Sequence, residues 1–379
     1  MKEAPEQFKH LHWVRRIDPP YYVNSAAISA NGDLVVAGTF FLSYSSETAG
    51  LPMEFGTYCF DRHGKQLWAD KFVGAEGVYT VAICADGSTA ASGGRVVEDN
   101  GFIRAYNTKA GEQLADYSTG ARVNQIALSQ DGATLVAAAD QVYLAQRENG
   151  VFPTTPSSYS VPGGNTNNVQ SVSIPLDGSW FVMGDKAGTV YLVENDSGKI
   201  GNVSQSATEL LTTVHCVAAS GNGDWFVAVG YSQDIYLFNL ESIQQGQYVS
   251  KFPLGSAGRT GWAAISLEGD VISVVQNDGN AGTVYCLQND NGVLSQLWSK
   301  PTLANPNSTS LDASGESVTV ADGYPDGTAG HFYLFDGTNG DPLWSYQTLN
   351  MNWPMFINSF GTGIVAGSDY GNVYYFKPQ

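Results

Sequence analysis

Three features of the sequence predict an all-β fold made of repeated strand meanders. Residues 169–200 hold three strand-like runs, VQSVSI, SWFVMG and GTVYLV, and the first two are joined at an Asp177-Gly178 turn that favours a β-hairpin. The same unit recurs with its turn glycine at intervals of 55, 45, 46, 45, 46, 46 and 46 residues. The composition, with 43 glycines and 12% aromatic residues among 379 residues, suits strands joined by tight turns.

The repeat predicts a single ring-shaped domain, because one meander of this length cannot bury both of its faces. We therefore predict one eight-bladed β-propeller of four-stranded antiparallel blades. The turn glycines that mark the eight repeats are Gly32, Gly87, Gly132, Gly178, Gly223, Gly269, Gly315 and Gly361.

The two ends of the chain are predicted to close the ring together. Residues 1–10 read as a loose tail, and residues 11–17 (LHWVRRI) alternate like a strand that has no repeat of its own. Residues 353–376 supply only three strands. The N-terminal strand is therefore expected to complete the last blade from outside, which removes an open sheet edge. The propeller would span residues 11–379.

Charge and cysteine content exclude several classes of function. The formal net charge is −18, from 36 acidic and 18 basic residues, and no Lys/Arg cluster is present, so nucleic-acid binding is not expected. No apolar run is long enough for a membrane helix. The four cysteines lie in separate predicted strands and are expected to be buried free thiols; they are Cys59, Cys84, Cys216 and Cys286.

The composition also bears on location and assembly. The surface is poor in lysine and rich in Ser, Asn and Gln, which slightly favours a periplasmic or extracellular protein whose signal was removed. A cytoplasmic location is the alternative. We expect a monomer or a small oligomer.

One column of the aligned repeats is predicted to surround the mouth of the central channel. Eight residues before each turn glycine the chain carries unlike polar or aromatic residues, where a purely structural position would repeat. The column holds Asn24, Tyr79, Asn124, Gln170, His215, Gly261, Asn307 and Trp353. These residues begin the innermost strands, so they should face the channel.

A candidate ligand site is predicted from this column and its neighbours. Two arginines beside Trp and His, in a chain poor in basic residues, could hold a carboxylate or a flat anionic ligand. A water-filled polar channel is the alternative. The candidate residues are Tyr79, Arg122, Asn124, His215, Arg259, Trp262, Asn307, Asn352 and Trp353.

A second candidate surface is formed by the loops between second and third strands. They are longest in repeats six, seven, one and two, which with repeat eight are neighbours in a closed ring, so they should build a wall on one side of the mouth. The aromatic residues expected to be exposed there are Phe40, Phe41, Tyr44, Phe55 and Tyr324. Acidic residues in these loops (Glu98, Asp99, Asp278, Asp322, Asp326) fit turns better than a calcium loop.

The outer turns resemble a known repeat. CFDRHGKQLWADKF (residues 59–72) and LFDGTNGDPLWSYQT (residues 334–348) are similar to the pyrroloquinoline-quinone-type repeat, and hairpins such as ALSQDGATLVAA (residues 127–138) look like WD-type propellers. The resemblance implies an eight-bladed quinoprotein-like or WD-type propeller. In quinoprotein dehydrogenases it implies an adjacent Cys-Cys pair above the quinone and a calcium ion, and this chain has no Cys-Cys pair.

Two functions are open at this point. The first is a non-catalytic propeller that binds a protein or another polymer through the enlarged loops, with no catalytic residues, metal or cofactor. The second is a quinoprotein-type oxidoreductase, or a propeller that binds a small anion, with its site at the channel mouth and pyrroloquinoline quinone with calcium as its cofactor. We favour the first, because the sequence lacks a complete catalytic site.

Overall fold

The structure is a computed structural model that describes residues 9–17, 21–41, 54–74, 76–97, 100–163, 168–206, 210–231, 234–255, 259–279 and 281–378. These residues form 32 strands in seven antiparallel sheets. Six sheets have four strands, and the seventh consists of two four-stranded halves joined by the single pair Phe40–Gly77. The strands thus fall into eight four-stranded units, one for each turn glycine, which we number in chain order.

The first two strands of each unit form the inner half of its sheet. The innermost strands are β2 (Tyr22–Ile28), β6 (Gly77–Ile83), β10 (Gln125–Leu128), β14 (Val169–Ser173), β18 (Val214–Ala219), β22 (Arg259–Ile265), β26 (Asn305–Leu311) and β30 (Asn352–Ile357). The second strands are β3 (Leu34–Phe40), β7 (Thr89–Val97), β11 (Thr134–Ala138), β15 (Trp180–Asp185), β19 (Phe226–Gly230), β23 (Val271–Asn277), β27 (Ser317–Gly323) and β31 (Ile364–Ser368).

The third and fourth strands complete each unit on the outside. The third strands are β4 (Glu54–Asp61), β8 (Asn100–Asn107), β12 (Val142–Gln146), β16 (Val190–Asp196), β20 (Asp234–Phe238), β24 (Gly282–Asp290), β28 (Gly330–Asp336) and β32 (Asn372–Phe376). The fourth strands are β5 (Gln66–Val73), β9 (Gln113–Thr119), β13 (Ser157–Tyr159), β17 (Lys199–Gln205), β21 (Ser250–Pro253), β25 (Val293–Thr302), β29 (Pro342–Thr348) and β1 (Leu11–Arg16). A short helix, α1 (Leu240–Gln244), follows β20, and a 3-10 turn spans Asp369–Gly371.

The N-terminal strand closes the last unit, as the sequence predicts. Strand β1 pairs antiparallel with β32, so unit eight contains strands from both ends of the chain. Ile17, which the prediction included in this strand, lies just beyond it and donates its backbone N–H to Gly371. The predicted all-β propeller of four-stranded antiparallel sheets, closed by an N-terminal strand, is confirmed.

The units form a closed ring around the innermost strands. Each innermost strand packs against that of the next unit, and β2 packs against β30 to complete the series. The turn glycines lie at the end of these strands with φ between 65° and 81°, the left-handed region that glycine adopts without a steric penalty. We call this end of the ring the turn face and the opposite end, where the innermost strands begin, the mouth face.

A belt of hydrogen bonds joins the units on the turn face. The residue two positions before one turn glycine donates its backbone N–H to the equivalent carbonyl of the next unit, from Ala30 to Ala85 and onward to Gly221. Asn222 continues the series to Leu267, Ala313 and Ser359. The side chain of Asn358 completes the circle by donating to the Ala30 carbonyl at 2.8 Å. The belt fixes the units in one relative register near the axis.

The core lies between neighbouring sheets rather than in one central mass. Buried clusters join adjacent units, for example unit eight with units one and two and unit six with unit seven. All four cysteines are free and buried, as predicted. Burial raises the pKa of Cys216 to about 11, so this thiol is held in its neutral form. Within the described residues no helix is long and apolar enough to cross a membrane.

Candidate functional site at the channel mouth

A bulge lies at the start of the innermost strand in seven of the eight units. The strand register shifts between Val23 and Ser25, between Val214 and Cys216, and at the equivalent point of every unit except the third. The residue inside the bulge is the one eight positions before the turn glycine. An extra residue in one strand redirects its side chain out of the regular alternation. The bulge therefore explains why this column behaves unlike its neighbours.

The bulged residues surround a cavity of about 340 Å³ at the mouth of the channel. Of the sequence-predicted candidates, the structure brings together Tyr79, Asn124, His215, Trp262, Asn307 and Trp353. Asn24 and Gly261, which belong to the same column, also line the cavity, as do Asn277, Pro306, Pro354 and Phe356. Gln170 is the one member of the column that does not line it. Whether these residues bind a ligand stays a prediction.

Three asparagines in the cavity wall are fixed to the backbone of the next unit. Asn24 Nδ2 donates to the Tyr79 carbonyl at 3.4 Å, Asn124 Nδ2 to the Val169 carbonyl at 2.8 Å, and Asn307 Nδ2 to the Asn352 carbonyl at 2.6 Å. Each amide thus links two units and is held in one orientation. Asn24 belongs to the column identified in the sequence. Its role as a link between units depends on how the strands of neighbouring units align, which the sequence pattern does not show.

Aromatic side chains form the floor and one wall of the cavity. Trp262 and Phe356 meet edge to face with ring centroids 6.4 Å apart, and a second cavity of about 350 Å³ continues beyond them down the channel. The Trp353 indole donates to Asp369 Oδ1 at 3.0 Å. Burial raises the pKa of Asp369 to about 7, and the hydrogen bond from Trp353 partly offsets this. Asp369, which follows the second strand of unit eight, belongs to no pattern of the sequence that pointed to the site.

The two predicted arginines lie behind the cavity wall. Arg122 stacks on the Tyr79 ring, with its guanidinium carbon 4.6 Å from the ring centroid, and donates to Asn124 Oδ1 at 2.9 Å. Arg259 stacks on Tyr231 at 5.0 Å. Neither arginine is among the described residues that line the cavity. Arg122 contacts the lining residues Tyr79 and Asn124, whereas Arg259 stacks on Tyr231, which packs against the lining residue His215. Neither guanidinium group is therefore placed in the described wall to hold an anion.

The surroundings of Tyr79 and His215 keep both side chains in place. Tyr79 donates its hydroxyl to Glu76 at 3.0 Å, and Glu76 is also paired with Arg95 at 2.8 Å. His215 meets the Tyr231 ring edge to face at 4.3 Å. Burial and then the charge of Arg259 lower the pKa of His215, so the imidazole is neutral near pH 7.

Asn352 was predicted to lie at the channel mouth, and this prediction is wrong. Its side chain is fully buried between units seven and eight, where its Oδ1 accepts a hydrogen bond from the Thr348 hydroxyl at 3.0 Å. Asn352 stands nine positions before its turn glycine, the column that in other units holds buried residues such as Val23 and Val78. One step along the strand separates the interior from the channel.

The predicted partner-binding aromatics are only partly at the surface. Phe41 (2% exposed) and Phe55 (0% exposed) are buried, so the expectation that they are exposed is wrong. Phe55 stacks on Phe72 within unit one. Phe40 is half-buried against Tyr79, with ring centroids 5.1 Å apart, and Tyr324 is half-buried near His331. Tyr44 lies outside the described residues, and so does most of the long unit-one loop that was expected to hold these aromatics.

The enlarged connections also differ in kind. In unit two the predicted loop is mostly strand, because β7 runs to Val97 and β8 starts at Asn100; Glu98 and Asp99 lie outside the described residues. In unit seven the connection between Gly323 and Gly330 is a true loop, which carries Asp326 at the surface. In unit six β23 ends at Asn277 and β24 begins at Gly282, with Asp278 between them.

Asp322, which was considered as a loop carboxylate, is instead the centre of a buried hydrogen-bond network. Its oxygens lie 2.8 Å from the Tyr333 hydroxyl and 3.0 Å from His331 Nδ1. They also accept the backbone N–H groups of Ala304 and His331 at 2.9 and 2.7 Å. These four contacts satisfy a carboxylate that is fully buried. Asp322 therefore holds unit seven together.

The site does not fit a quinone held by calcium. Calcium prefers several oxygen ligands that include carboxylates, and no carboxylate is among the described residues of the cavity wall. Nor do the described residues contain any group of three or more His, Cys, Asp and Glu side chains placed to hold a metal ion. What the described wall offers is aromatic faces, amides, hydroxyls and a neutral imidazole.

Comparison with known proteins supports the fold. No protein-family model and no curated protein sequence matches the chain. Among solved structures it is similar to Chaetomium thermophilum Sqt1 bound to the N-terminus of ribosomal protein L10, with a TM-score of 0.73, 14% identity, and coverage of 94% of this chain and 97% of that one. Sqt1 alone gives a TM-score of 0.73 at 13% identity, with coverage of 95% and 96%.

The chain is a β-propeller. At this level of identity the likeness extends to the fold and no further.

Proposed function

We propose that the chain is a non-catalytic propeller that binds a protein partner through its mouth face. The observation that carries the proposal is a series of large apolar side chains exposed on this face, which we call the apolar arc. They lie in unit two, in unit eight, at the end of unit one and in the connections between units six, seven and eight. The arc consists of Val73, Val97, Leu303, Leu349, Trp353 and Tyr370.

The apolar arc follows the same part of the ring where the sequence predicts enlarged loops. Leu349 is 86% exposed and Val73 is 78% exposed, so both could lose a large apolar area to a partner. In units three and four, none of the described mouth-face residues is a large exposed apolar residue. Apolar side chains grouped on one side of a surface are typical of interaction sites, and Trp and Tyr are frequent anchors there.

The comparison with Sqt1 supports a protein as the partner. That protein, which shares the fold over nearly its full length, was crystallised bound to the N-terminus of ribosomal protein L10. By analogy we propose a protein segment as the partner of this chain. The eight units would act as the blades of one WD-type ring that presents the apolar arc. The lysine-poor surface favours a periplasmic or extracellular setting, with the cytoplasm as the alternative.

Two matched variants test this function. Tagged wild-type protein is used to recover partners from its source cells, and a recovered partner is then purified and titrated. The double variant Leu303→Ser/Leu349→Ser should weaken the affinity at least about tenfold, since each anchor is worth roughly 1 kcal/mol or more. Phe360→Ser removes a side chain that is 71% exposed on the turn face and should leave the affinity unchanged.

The result that contradicts the proposal is equal binding by wild type and the Leu303/Leu349 variant, both with wild-type melting temperatures. A loss of binding in Phe360→Ser alone would move the interface to the turn face.

The quinoprotein-type enzyme is the alternative proposal. It is less well supported, because the described cavity wall lacks a carboxylate for calcium and the sequence lacks a Cys-Cys pair. A visible absorption band together with stoichiometric calcium in the purified protein would favour this alternative over partner binding.

A further inference from the structure

The cavity at the channel mouth has a chemical character that protein docking on the apolar arc does not explain. Its described wall contains no side chain that is charged at pH 7, although the protein as a whole carries a net charge of −18. The polar groups are four asparagine amides, one imidazole and the hydroxyls of Ser25, Tyr79, Thr80 and Ser308, all of them uncharged. The rest of the wall is aromatic or proline, with small residues between. A cavity of about 340 Å³ lies at the lower end of the size range of small-molecule sites.

Hydrogen bonds within the protein hold asparagine side chains of the cavity wall in fixed orientations. Asn24 and Asn307 each spend one N–H on the backbone of the next unit, which fixes the plane of the side chain. A primary amide still carries a second N–H and two acceptor positions on its oxygen. It can donate to one hydroxyl and accept from another. Fixed amides lose little entropy on binding, so they suit a ligand that presents several hydroxyl groups.

The aromatic residues offer flat apolar faces beside these amides. Trp262 and Phe356 are held edge to face, and Trp353 is anchored through its indole N–H to Asp369. With its N–H satisfied, the Trp353 ring has only its apolar surface left to offer. An aromatic face carries negative charge density and attracts weakly positive C–H groups.

The charged groups nearest to the cavity argue against an ionic ligand. Arg122 contacts the lining residues Tyr79 and Asn124, and Arg259 lies close to the lining residue His215. These two positive charges disfavour the binding of a cation. Arg122 stacks on the lining residue Tyr79 and Arg259 stacks on Tyr231, and neither arginine is among the described lining residues, so the two guanidinium groups do not form a pocket for an anion. His215 is neutral and can both donate to and accept from a hydroxyl.

We propose that the channel mouth binds a neutral saccharide ring. The aromatic side chains Trp262, Trp353 and Phe356 contact the C–H face of the sugar, and the amides of Asn24 and Asn307 bond its hydroxyls. The site is distinct from the docking function, because Leu303, Leu349 and Val73 of the apolar arc do not line the cavity. Trp353 is the one residue that both surfaces share.

The test is a titration of the full chain with single sugars, by calorimetry and by saturation-transfer NMR. Glucose, galactose, mannose and N-acetylglucosamine are the probes, with glucuronate as an anionic comparison. We expect at least one neutral sugar to bind with a dissociation constant of about 1 mM or tighter. Trp262→Ala and Asn307→Ala should weaken that binding at least about tenfold. Leu349→Ser, outside the cavity, should leave it unchanged.

Trp262→Phe keeps the core filled and provides a second variant if Trp262→Ala does not fold. Its smaller ring should give an intermediate affinity. The proposal is overturned if no neutral sugar binds at about 10 mM, if glucuronate alone binds, or if folded Trp262 and Asn307 variants keep the wild-type affinity. None of these outcomes depends on whether a protein partner binds the apolar arc.

Discussion

His215 is the one histidine that lines the channel mouth, and its ionisation depends on neighbours from other units. Burial is the larger cause of its lowered pKa, and the positive charge of Arg259 is the second. A histidine whose pKa is lower in the folded than in the unfolded protein stabilises the fold above pH 6.5 and loses this contribution as the pH falls through its folded pKa. His215 therefore links the stability of the mouth to mildly acidic pH.

Replacing Arg259 with alanine should raise the pKa of His215, because one positive charge near the imidazole is removed. The part of the shift that comes from burial should remain. The measurement is an NMR titration of the His215 ring protons in wild type and Arg259→Ala. Arg122→Ala, which removes the other mouth arginine, should leave the His215 titration unchanged. An identical titration in wild type and Arg259→Ala would show that the two groups do not interact.

Much of the mouth could be predicted at the level of single residues, because the turn glycine fixes the register of each innermost strand. Counting back eight positions finds Tyr79, His215 and Trp353, and the structure places all three at the cavity. Counting back nine finds buried residues, which is why Asn352 was misplaced. The bulge that separates these two columns depends on pairing with the second strand, so it could not be read from local pattern alone.

Strand β1 is the element on which ring closure depends. Its Trp13 is buried, stacks on Tyr375 of β32 at 5.5 Å and lies 6.0 Å from Phe60 of β4. The indole N–H donates to the Arg62 carbonyl at 2.9 Å. Trp13 thus joins the last unit to the first through packing and a hydrogen bond. The alternating pattern LHWVRRI predicted the strand, and the absence of a repeat in front of it predicted the partner.

Trp13→Ala should lower the free energy of unfolding by about 3–5 kcal/mol, the usual cost of deleting a buried Trp side chain. Urea denaturation measures the change. His12→Ala is the matched control, because His12 is the exposed neighbour on the same strand. If the two variants were equally stable, β1 would not contribute to closure in solution.

At the scale of the elements, sequence reasoning failed mainly in the loops. Phe41 and Phe55 were expected at the surface because they flank a long connection, yet both pack into unit one. A strand that is buried on both faces gives a continuous apolar run, and its ends cannot be separated from the loop by periodicity. The exposed residues Leu303 and Leu349 were missed for the opposite reason, since each is a single apolar residue in a polar connection.

Two kinds of connection hold the ring together, and they differ in strength: the covalent chain with its paired strands, and the non-covalent contacts between units. Each unit is joined covalently to the next, including unit eight to unit one through the chain that follows β1. The only break in the covalent circle lies inside unit eight, where β1 pairs with β32. Between units, by contrast, the contacts are side-chain packing, the belt of single backbone hydrogen bonds and single side-chain hydrogen bonds such as those of Asn24, Asn124 and Asn307. The break in the covalent circle therefore lies where the pairing of β1 with β32 spans it.

Moving the break tests this account. The ends are close, since the Lys377 N–H donates to the His10 carbonyl at 2.9 Å, so a short Asn-Gly turn can join residue 378 to residue 9. A permuted chain opened between Leu349 and Asn350 leaves packing, one belt hydrogen bond and single side-chain hydrogen bonds between units seven and eight, but no pair of strands that spans the break. It should fold to the same ring, measured by circular dichroism, and melt lower than wild type by on the order of 5 °C.

The matched control is a permuted chain opened between Thr338 and Asn339, in the turn before β29. Strand β29 then closes unit seven from the opposite end of the chain, just as β1 closes unit eight. Because the break is again spanned by a paired strand, this permutant should melt close to wild type. Equal melting temperatures for the two permutants would mean that packing between units alone holds the ring, and that strand closure from the N-terminus adds no stability.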